Sequence, residues 1–308
     1  MFKKVFIVCF FCLYWMKNQT LDLVRVNLLV DAIKQKKELQ SLPESYVREQ
    51  LLIYFKQYPK VADSLSLKFN PKSSLYKQTV KEIRSKLRKV YGLFRQEEKT
   101  KGKEETITSL IKDINNESIL EQVLSFHTST KERLRYYPQL YEKIFKITKK
   151  PKSILDLGCG INPFSIPLMK LRSVHYYAYD LSEEEIKQLN SFFEQLNLKN
   201  KNIIAQAGIL DIEDITKLKR LPQADVAFLF KITDVLDKGK GHIKTEEVIR
   251  AIPSKFIVVS FATKTMSGKK MTAPRRKWME WLCQRLEYKY HILEFENEIF
   301  YVIKKVFV

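Results

Sequence analysis

The chain has 308 residues, 45% of them hydrophobic, with 55 Lys and Arg against 35 Asp and Glu for a net charge of +20. That length allows one large domain or two ordinary ones with a packed core, and the charge excess points to a polyanionic partner, nucleic acid or an anionic membrane face. The four cysteines (Cys9, Cys12, Cys159, Cys283) show no paired metal spacing, which argues against a metal site or a disulfide framework and for a reduced, cytoplasmic protein.

At the N-terminus, Phe2-Lys3-Lys4 precedes an apolar run from Val5 to Met16. The run is too short to span a bilayer, and no small-residue cleavage site follows it. Residues 1–16 therefore read as a signal peptide, a short membrane-associating tail, or translation from a start upstream of Met16, with no stable membrane insertion expected. Cys9-x-x-Cys12 lacks the polar setting of a redox pair.

Residues 17–105 read as a helical domain. Leu21, Val24, Leu28 and Ile33 begin the pattern, Val47, Leu51 and Phe55 recur at i+4, and Pro43, Pro59 and Pro71 punctuate it. The strongest helix runs from Tyr76 to Phe94, where Val80, Ile83, Leu87, Val90 and Phe94 form one apolar stripe. Lys77, Lys81, Arg84, Lys86, Arg88 and Lys89 fill its other faces, and Glu82 is the lone acid between Lys68 and Arg95. Surfaces ordinarily mix both signs. The stretch therefore predicts a phosphate-facing surface with Lys77, Lys81, Arg84 and Arg88 as contacts, weakening steeply with salt. The alternative is a solvated face on a bundle helix. Gln96 to Glu105, charged and without periodicity, closes the domain.

Residues 106–308 read as a second, α/β domain. Ile107, Leu110, Ile111 and Ile114 suggest a helix, and Ser129 or Thr130 is placed to cap a helix continuing through Leu140, Tyr141 and Phe145. The stretch Ser153 to Asp180 then reads as strand, glycine turn (Gly158-Cys159-Gly160), short helix, strand and acid. In an open parallel sheet, ligands sit at the carboxyl ends of the strands, and an acid there accepts ribose hydroxyls. A dinucleotide or S-adenosyl-L-methionine fits this layout. The G-x-G-x-x-G pattern is incomplete, because Pro163 fills the third glycine position, and no pyrophosphate cradle is evident. Strands are expected at Ser153–Leu157, His175–Tyr179, Asn202–Ala205, Val226–Phe230 and Phe256–Phe261, with an antiparallel hairpin of Tyr290–Phe295 and Ile299–Ile303. Helices are expected at Glu183–Leu196, Thr245–Ala251 and Arg276–Leu286. The layout resembles that of the class I S-adenosyl-L-methionine-dependent methyltransferases (α/β, Rossmann-like), preceded by an all-α N-terminal domain. His175, His242 and His291 read as structural.

Several blocks together resemble the Arm-type aminoglycoside-resistance methyltransferases. They are His127-Thr128-Ser129-Thr130-Lys131-Glu132-Arg133, then Asp156-Leu157-Gly158-Cys159-Gly160-Ile161-Asn162-Pro163, Tyr179-Asp180, Asp211-Ile212, Phe228-Leu229-Phe230-Lys231 and Val259-Ser260-Phe261-Ala262-Thr263-Lys264. The resemblance covers roughly residues 75 to 305 and implies methylation of a guanine N7 in the 16S rRNA decoding region of the 30S subunit. It implies that the segment His127, Thr128, Ser129, Thr130, Lys131, Glu132 and Arg133 lies over the methionine part of the cofactor, with Arg133 toward its carboxylate. By the same resemblance Gly158 is the close-approach glycine, Asp180 holds the ribose, Asp211 and Ile212 hold the adenine, and Phe230 packs near that ring.

Guanine N7 carries a lone pair and no proton, so transfer needs alignment and no general base. Lys231 and Lys264 are the target-side candidates, and Phe261 is placed to stack on the guanine. A second acid-free run holding Lys269, Lys270, Arg275 and Arg276 follows the fifth strand and reads as a phosphate grip beside a flipped base. The chain departs from the family after Lys231, where Asp234 and Gly239 stand in place of the usual Pro and Gln. A methyltransferase acting on another RNA base, or a non-catalytic ribosome-binding protein, remains as the alternative.

Overall fold

A computed structural model describes residues 21–91, 102–237, 241–265 and 268–306. The chain divides into two compact units, Met1–Gly92 and Leu93–Val308. The apolar run at residues 5–16 lies outside the described residues.

The first unit holds helices α1 (Leu23–Lys34), α2 (Glu44–Gln57), α3 (Pro59–Leu67) and α4 (Ser74–Tyr91). Asp22 caps α1, its carboxylate accepting from the Arg25 amide at 2.8 Å. Pro43 and Pro59 stand at helix starts, where a missing N–H costs nothing. Val80, Ile83 and Leu87 of the expected stripe are buried on α4, as is Tyr76, together with Val47, Leu51 and Phe55 of α2, while Phe94 lies outside the described residues. In α1 the buried face is Val26, Leu29, Val30 and Ile33, while Val24 and Leu28 are 68% and 46% exposed. The expected stripe through Val24 and Leu28 was therefore misplaced. The run Leu23-Val24-Arg25-Val26-Asn27-Leu28-Leu29-Val30 is apolar at most positions, so periodicity selects no single face.

The second unit opens with α5 (Lys103–Lys112), α6 (Glu117–Leu124), α7 (Thr128–Arg133) and α8 (Tyr137–Thr148). The helix expected to run unbroken from Ser129 or Thr130 through Phe145 is interrupted between α7 and α8. Pro138 in the first turn of α8 explains the break, since its ring clashes with the carbonyl four residues back. The Thr130 hydroxyl donates back to the carbonyls of Leu124 and His127 and makes no N-cap.

The sheet follows: β1 (Ser153–Leu157), β2 (Val174–Asp180), β3 (Ile203–Ile209), β4 (Ala224–Phe230), β5 (Ser254–Ala262), β6 (Lys289–Glu294) and β7 (Glu298–Lys304). Its order is β3-β2-β1-β4-β5-β7-β6. Strands β1 to β5 are parallel, and β7 enters antiparallel between β5 and β6. One face of the sheet (Ile154, Tyr176, Phe228, Phe230, Val258, Phe300) packs on α5, α6, α8 and α9 (Glu183–Lys199). The other (Leu155, Leu157, Leu229, Val259, Phe261, Tyr301) packs on α10 (Ile215–Leu218), α11 (Thr233–Leu236), α12 (Ile243–Ala251) and α13 (Lys277–Arg285). Central strands covered on both sides read as near-continuous apolar runs, which is why β4 and β5 were legible.

The short helix expected after the glycines is a 3-10 helix, Asn162–Met169. Pro163 and Pro167 are both within it, and Pro167 has no N–H to return to the carbonyl of residue 163, so i to i+4 bonding cannot propagate. Among the described residues no helix is long and apolar enough to cross a membrane. No group of His, Cys, Asp or Glu among them could hold a metal ion.

Candidate active site

The carboxyl end of β1 turns sharply. Gly158 and Gly160 have φ of 63° and 49°, a region L side chains rarely adopt. A Cβ on Gly158 would lie 3.0 Å from both Cδ1 and Cγ1 of Ile232, so the backbone there admits no side chain without displacing Ile232. Asp180, ending β2, secures the turn: Gly160 N–H donates to Oδ2 at 2.9 Å and Ser182 N–H to Oδ1 at 3.0 Å. Leu210 N–H donates to the Asp180 carbonyl at 3.1 Å, which brings Asp211, just past β3, alongside. Asp211 Oδ1 accepts from Glu213 N–H at 2.9 Å, and Ile212 is buried. Two half-buried carboxylates thus stand at the ends of adjacent strands, beside a glycine turn.

A buried polar chain runs beneath that turn. Asp156, in the middle of apolar β1, accepts from Tyr176 OH at 2.6 Å and Asn162 Nδ2 at 2.9 Å. Burial pushes its carboxyl up to about 6, against those two hydrogen bonds. Asn162 Oδ1 accepts in turn from Tyr137 OH at 2.8 Å and from Arg133 Nη1 at 3.4 Å. Arg133 is 1% exposed, lies 4.7 Å over the Phe230 ring, and forks onto Glu298 through Nε at 2.9 Å and Nη2 at 2.8 Å. Burial alone would raise the Glu298 carboxyl, but the Arg133 and Lys231 charges beside it hold it below the usual carboxylate range. Removing one partner of such a pair costs about 3–5 kcal/mol, because the other charge stays buried.

Lys231 leaves β4 with φ of 57°. A lysine in that conformation costs about 1–3 kcal/mol and persists only where its surroundings impose it. Its N–H donates to both the hydroxyl (3.0 Å) and the carbonyl (3.2 Å) of Ser260, and its Nζ pairs with Glu132.

The predicted residues fall into distinct places. Asp180, Asp211, Ile212 and Gly158 gather at the glycine turn, whereas Phe230 belongs to the opposite face of the sheet from Ile212, under Arg133. His127 Nε2 lies 3.0 Å from Glu185 Oε1, and its Nδ1 is 3.3 Å from where a Cβ on Gly160 would be. Thr128 and Lys131 are exposed, Ser129 and Glu132 half-buried, Thr130 buried. Phe261, expected to stack on the target base, is instead a core residue. It is fully buried, edge-on to Trp278 and Tyr301, with the Arg276 guanidinium 5.2 Å over its ring. Because β5 is covered on both faces, every ring along it is enclosed.

The second basic run is less acid-free in space than in sequence. Lys264 Nζ meets Glu296 at 3.0 Å, and Arg275 meets Glu280 at 3.0 Å. Arg276 turns inward to the carbonyls of Pro274 (2.9 Å) and Ala262 (3.3 Å). Lys269 and Lys270 are exposed, Lys270 bridging antiparallel to Lys264. The N-terminal basic face divides likewise. Arg84 donates to the carbonyls of Ala32 and Ile33, filling acceptors left open by the last turn of α1. Arg88 closes on Glu38 Oε1 with Nε and Nη2 each at 2.6 Å. Lys77 and Lys81 are exposed.

Sequence reasoning missed Asp156, Ser260 and Glu298 as functional candidates. The signal was present for two of them, since an acid inside or opening an otherwise apolar strand needs a buried partner.

The chain is similar to known proteins in sequence and in fold. A family model described as ribosomal RNA methyltransferase (FmrO) matches residues 74–302. A 16S rRNA (guanine(1405)-N(7))-methyltransferase of Proteus mirabilis is 30% identical over 207 residues, 63% of this chain and 71% of that protein. Its counterpart in Micromonospora echinospora is 30% identical over 193 residues, 60% of this chain and 66% of that protein. The chain thus spans about two thirds of the length of these curated relatives. Among solved structures, the 16S rRNA methyltransferase RmtF in complex with S-adenosyl-L-homocysteine is 20% identical with a TM-score of 0.68, covering 93% of this chain and 100% of that one, a likeness of fold. The 16S rRNA methylase ArmA is 26% identical with a TM-score of 0.51, covering 65% of this chain and 98% of that one. With the family model spanning most of its length, this chain belongs to the FmrO family of ribosomal RNA methyltransferases.

Proposed function

We propose that the protein transfers a methyl group from S-adenosyl-L-methionine to N7 of a guanine in the decoding region of 16S rRNA, within the 30S subunit. The guanine is the one that the relatives' names number 1405. One observation supports this most: the side-chain-free backbone at Gly158 beside two carboxylates, Asp180 and Asp211, on adjacent strand ends. This pair of acceptors fits an adenosyl group, which presents two ribose hydroxyls and an exocyclic amine as donors and no phosphate. When bound, the cofactor would supply an electrophilic methyl on a sulfonium sulfur, which a guanine N7 lone pair could accept without a general base.

The chain's own work is to bind, orient and exclude water. Asp180 accepts from the ribose hydroxyls, Asp211 from the adenine amine, and Ile212 lends its backbone. The segment from His127 to Arg133 covers the methionine end. Lys231 and Lys264 face the target, and Lys269 and Lys270 take phosphates. Lys77 and Lys81 contact the 16S rRNA backbone, and the place of action is the cytoplasm, where the subunits are. Incubating the protein with tritiated S-adenosyl-L-methionine and purified 30S subunits is expected to label 16S rRNA. Label on the protein alone, or nowhere, rejects the reading.

A further inference from the structure

Glu298 opens β7, is fully buried, and gathers groups from three other parts of the second unit. Its carboxylate takes the Arg133 fork, the Ser260 hydroxyl and, at 3.4 Å, the Tyr136 hydroxyl, and Lys231 Nζ lies 3.7 Å away. Ser260 is a relay, because the hydroxyl that donates to Glu298 also accepts from Lys231 N–H at 3.0 Å. Lys231 Nζ then pairs with Glu132, the neighbour of Arg133. The contacts close a ring: Glu298 to Ser260 to Lys231 to Glu132 and, through Arg133, back to Glu298. Two carboxylates balance two cations, so the ring carries no net charge into the core.

Stability alone does not call for this arrangement, since apolar residues of similar volume commonly serve a core as well as an ion pair does. What the ring adds is a fixed geometry. It holds a lysine backbone in a conformation that its surroundings must impose. It also commits the Nε/Nη2 edge of Arg133 to Glu298, with Nη1 toward Asn162 and, through it, Asp156 beneath the glycine turn. We propose that Glu298 is a positioning residue, which locks the segment His127–Arg133 and Lys231 across the carboxyl ends of β4 and β5 before the cofactor arrives. The inference rests on the methyltransferase reading only for which ligand profits from the lock.

The test is Glu298→Gln, nearly isosteric but uncharged, studied at a temperature where circular dichroism shows it folded. Without ligand, amide exchange across residues 128–133 should accelerate about tenfold or more while β1 stays protected. Sinefungin affinity by calorimetry should fall about tenfold or more, and Glu298→Asp, which keeps the charge, should recover part of it. A folded Glu298→Gln with wild-type exchange across 128–133 and wild-type affinity overturns the proposal. If Glu298→Gln does not fold, Ser260→Ala removes the relay hydroxyl and leaves the ion pairs. It should then lose affinity about threefold or more with little change in melting temperature, and unchanged affinity and exchange overturn the proposal equally. Wild-type protein that fails to bind sinefungin would reject the methyltransferase reading instead, while the exchange measurement still judges Glu298.

Discussion

Asp180→Asn tests the cofactor site with the least disturbance of shape. The carboxylate has room for about four hydrogen bonds. Gly160 N–H donates to it at 2.9 Å and Ser182 N–H at 3.0 Å, each on its own oxygen. In the proposed complex the two ribose hydroxyls donate to the same carboxylate. Asparagine has a single oxygen. It can keep one of the two backbone donors, and its amide then confronts the other N–H, donor against donor. Leaving one such N–H unmet costs about 1–3 kcal/mol, which in a unit of this size lowers the melting temperature by a few degrees. The ribose loses its charged acceptor as well, worth about 1–2 kcal/mol beyond a neutral bond. Because the loosened turn also carries the glycine backbone against which the cofactor rests, part of the first cost reappears in binding. The sum is about 2–3 kcal/mol of affinity, or roughly 30- to 150-fold. Calorimetric titration with S-adenosyl-L-homocysteine, paired with thermal unfolding, measures both. An affinity within about threefold of wild type in a folded variant would show that the cofactor does not use this carboxylate.

Further expectations are independent of that one. Reversing Lys77 and Lys81 to Glu should leave folding and cofactor affinity intact, weaken 30S binding, and reduce the salt slope by about one per lost phosphate contact. Arg84→Glu should instead unfold the first unit at lower temperature, because it removes the group that fills the Ala32 and Ile33 carbonyls; equal melting temperatures for the two variants would contradict this division. For Asp156, whose folded carboxyl lies at about 6 against an ordinary 3.8, the folded state holds the proton more tightly. Its contribution to stability is therefore complete below about pH 4 and is lost as pH rises through about 6, a span of at most about 3 kcal/mol. Asp156→Asn should abolish that slope in urea unfolding between pH 4 and 7; parallel curves for both proteins would argue otherwise. Expression in a susceptible bacterium should raise the inhibitory concentration of an aminoglycoside, and Asp180→Asn should lose that protection.

The parts of this structure written in local pattern were legible. Strands β1, β4 and β5 are apolar runs because both faces are covered, and the turn at Glu296-Asn297 marks the hairpin of β6 and β7. What stayed hidden depends on partners remote in sequence. Arg133 and Glu298 are 165 residues apart, and nothing near either announces the other. For the same reason, the basic runs looked freer than they are. Arg84, Arg88, Lys264 and Arg275 find their carbonyls or carboxylates in other segments, which a one-dimensional charge count cannot register. Phe261 shows a third limit. A ring on a two-sided strand and a ring lining a crevice have the same letter and the same alternation, and only the helix α13 laid over one face separates them.

A methyl group placed on one guanine nitrogen of the ribosome, by residues that carry no general base, leaves a product that can be mapped. The most direct measurement treats 30S subunits with the protein and S-adenosyl-L-methionine, then cleaves the extracted 16S rRNA by chemistry specific for N7-methylguanine and reads the break by primer extension. A single new break at the decoding-region guanine is predicted, absent when S-adenosyl-L-methionine is withheld. Tritium incorporated into the rRNA without any such break would place the methyl on another atom and rule out transfer to N7.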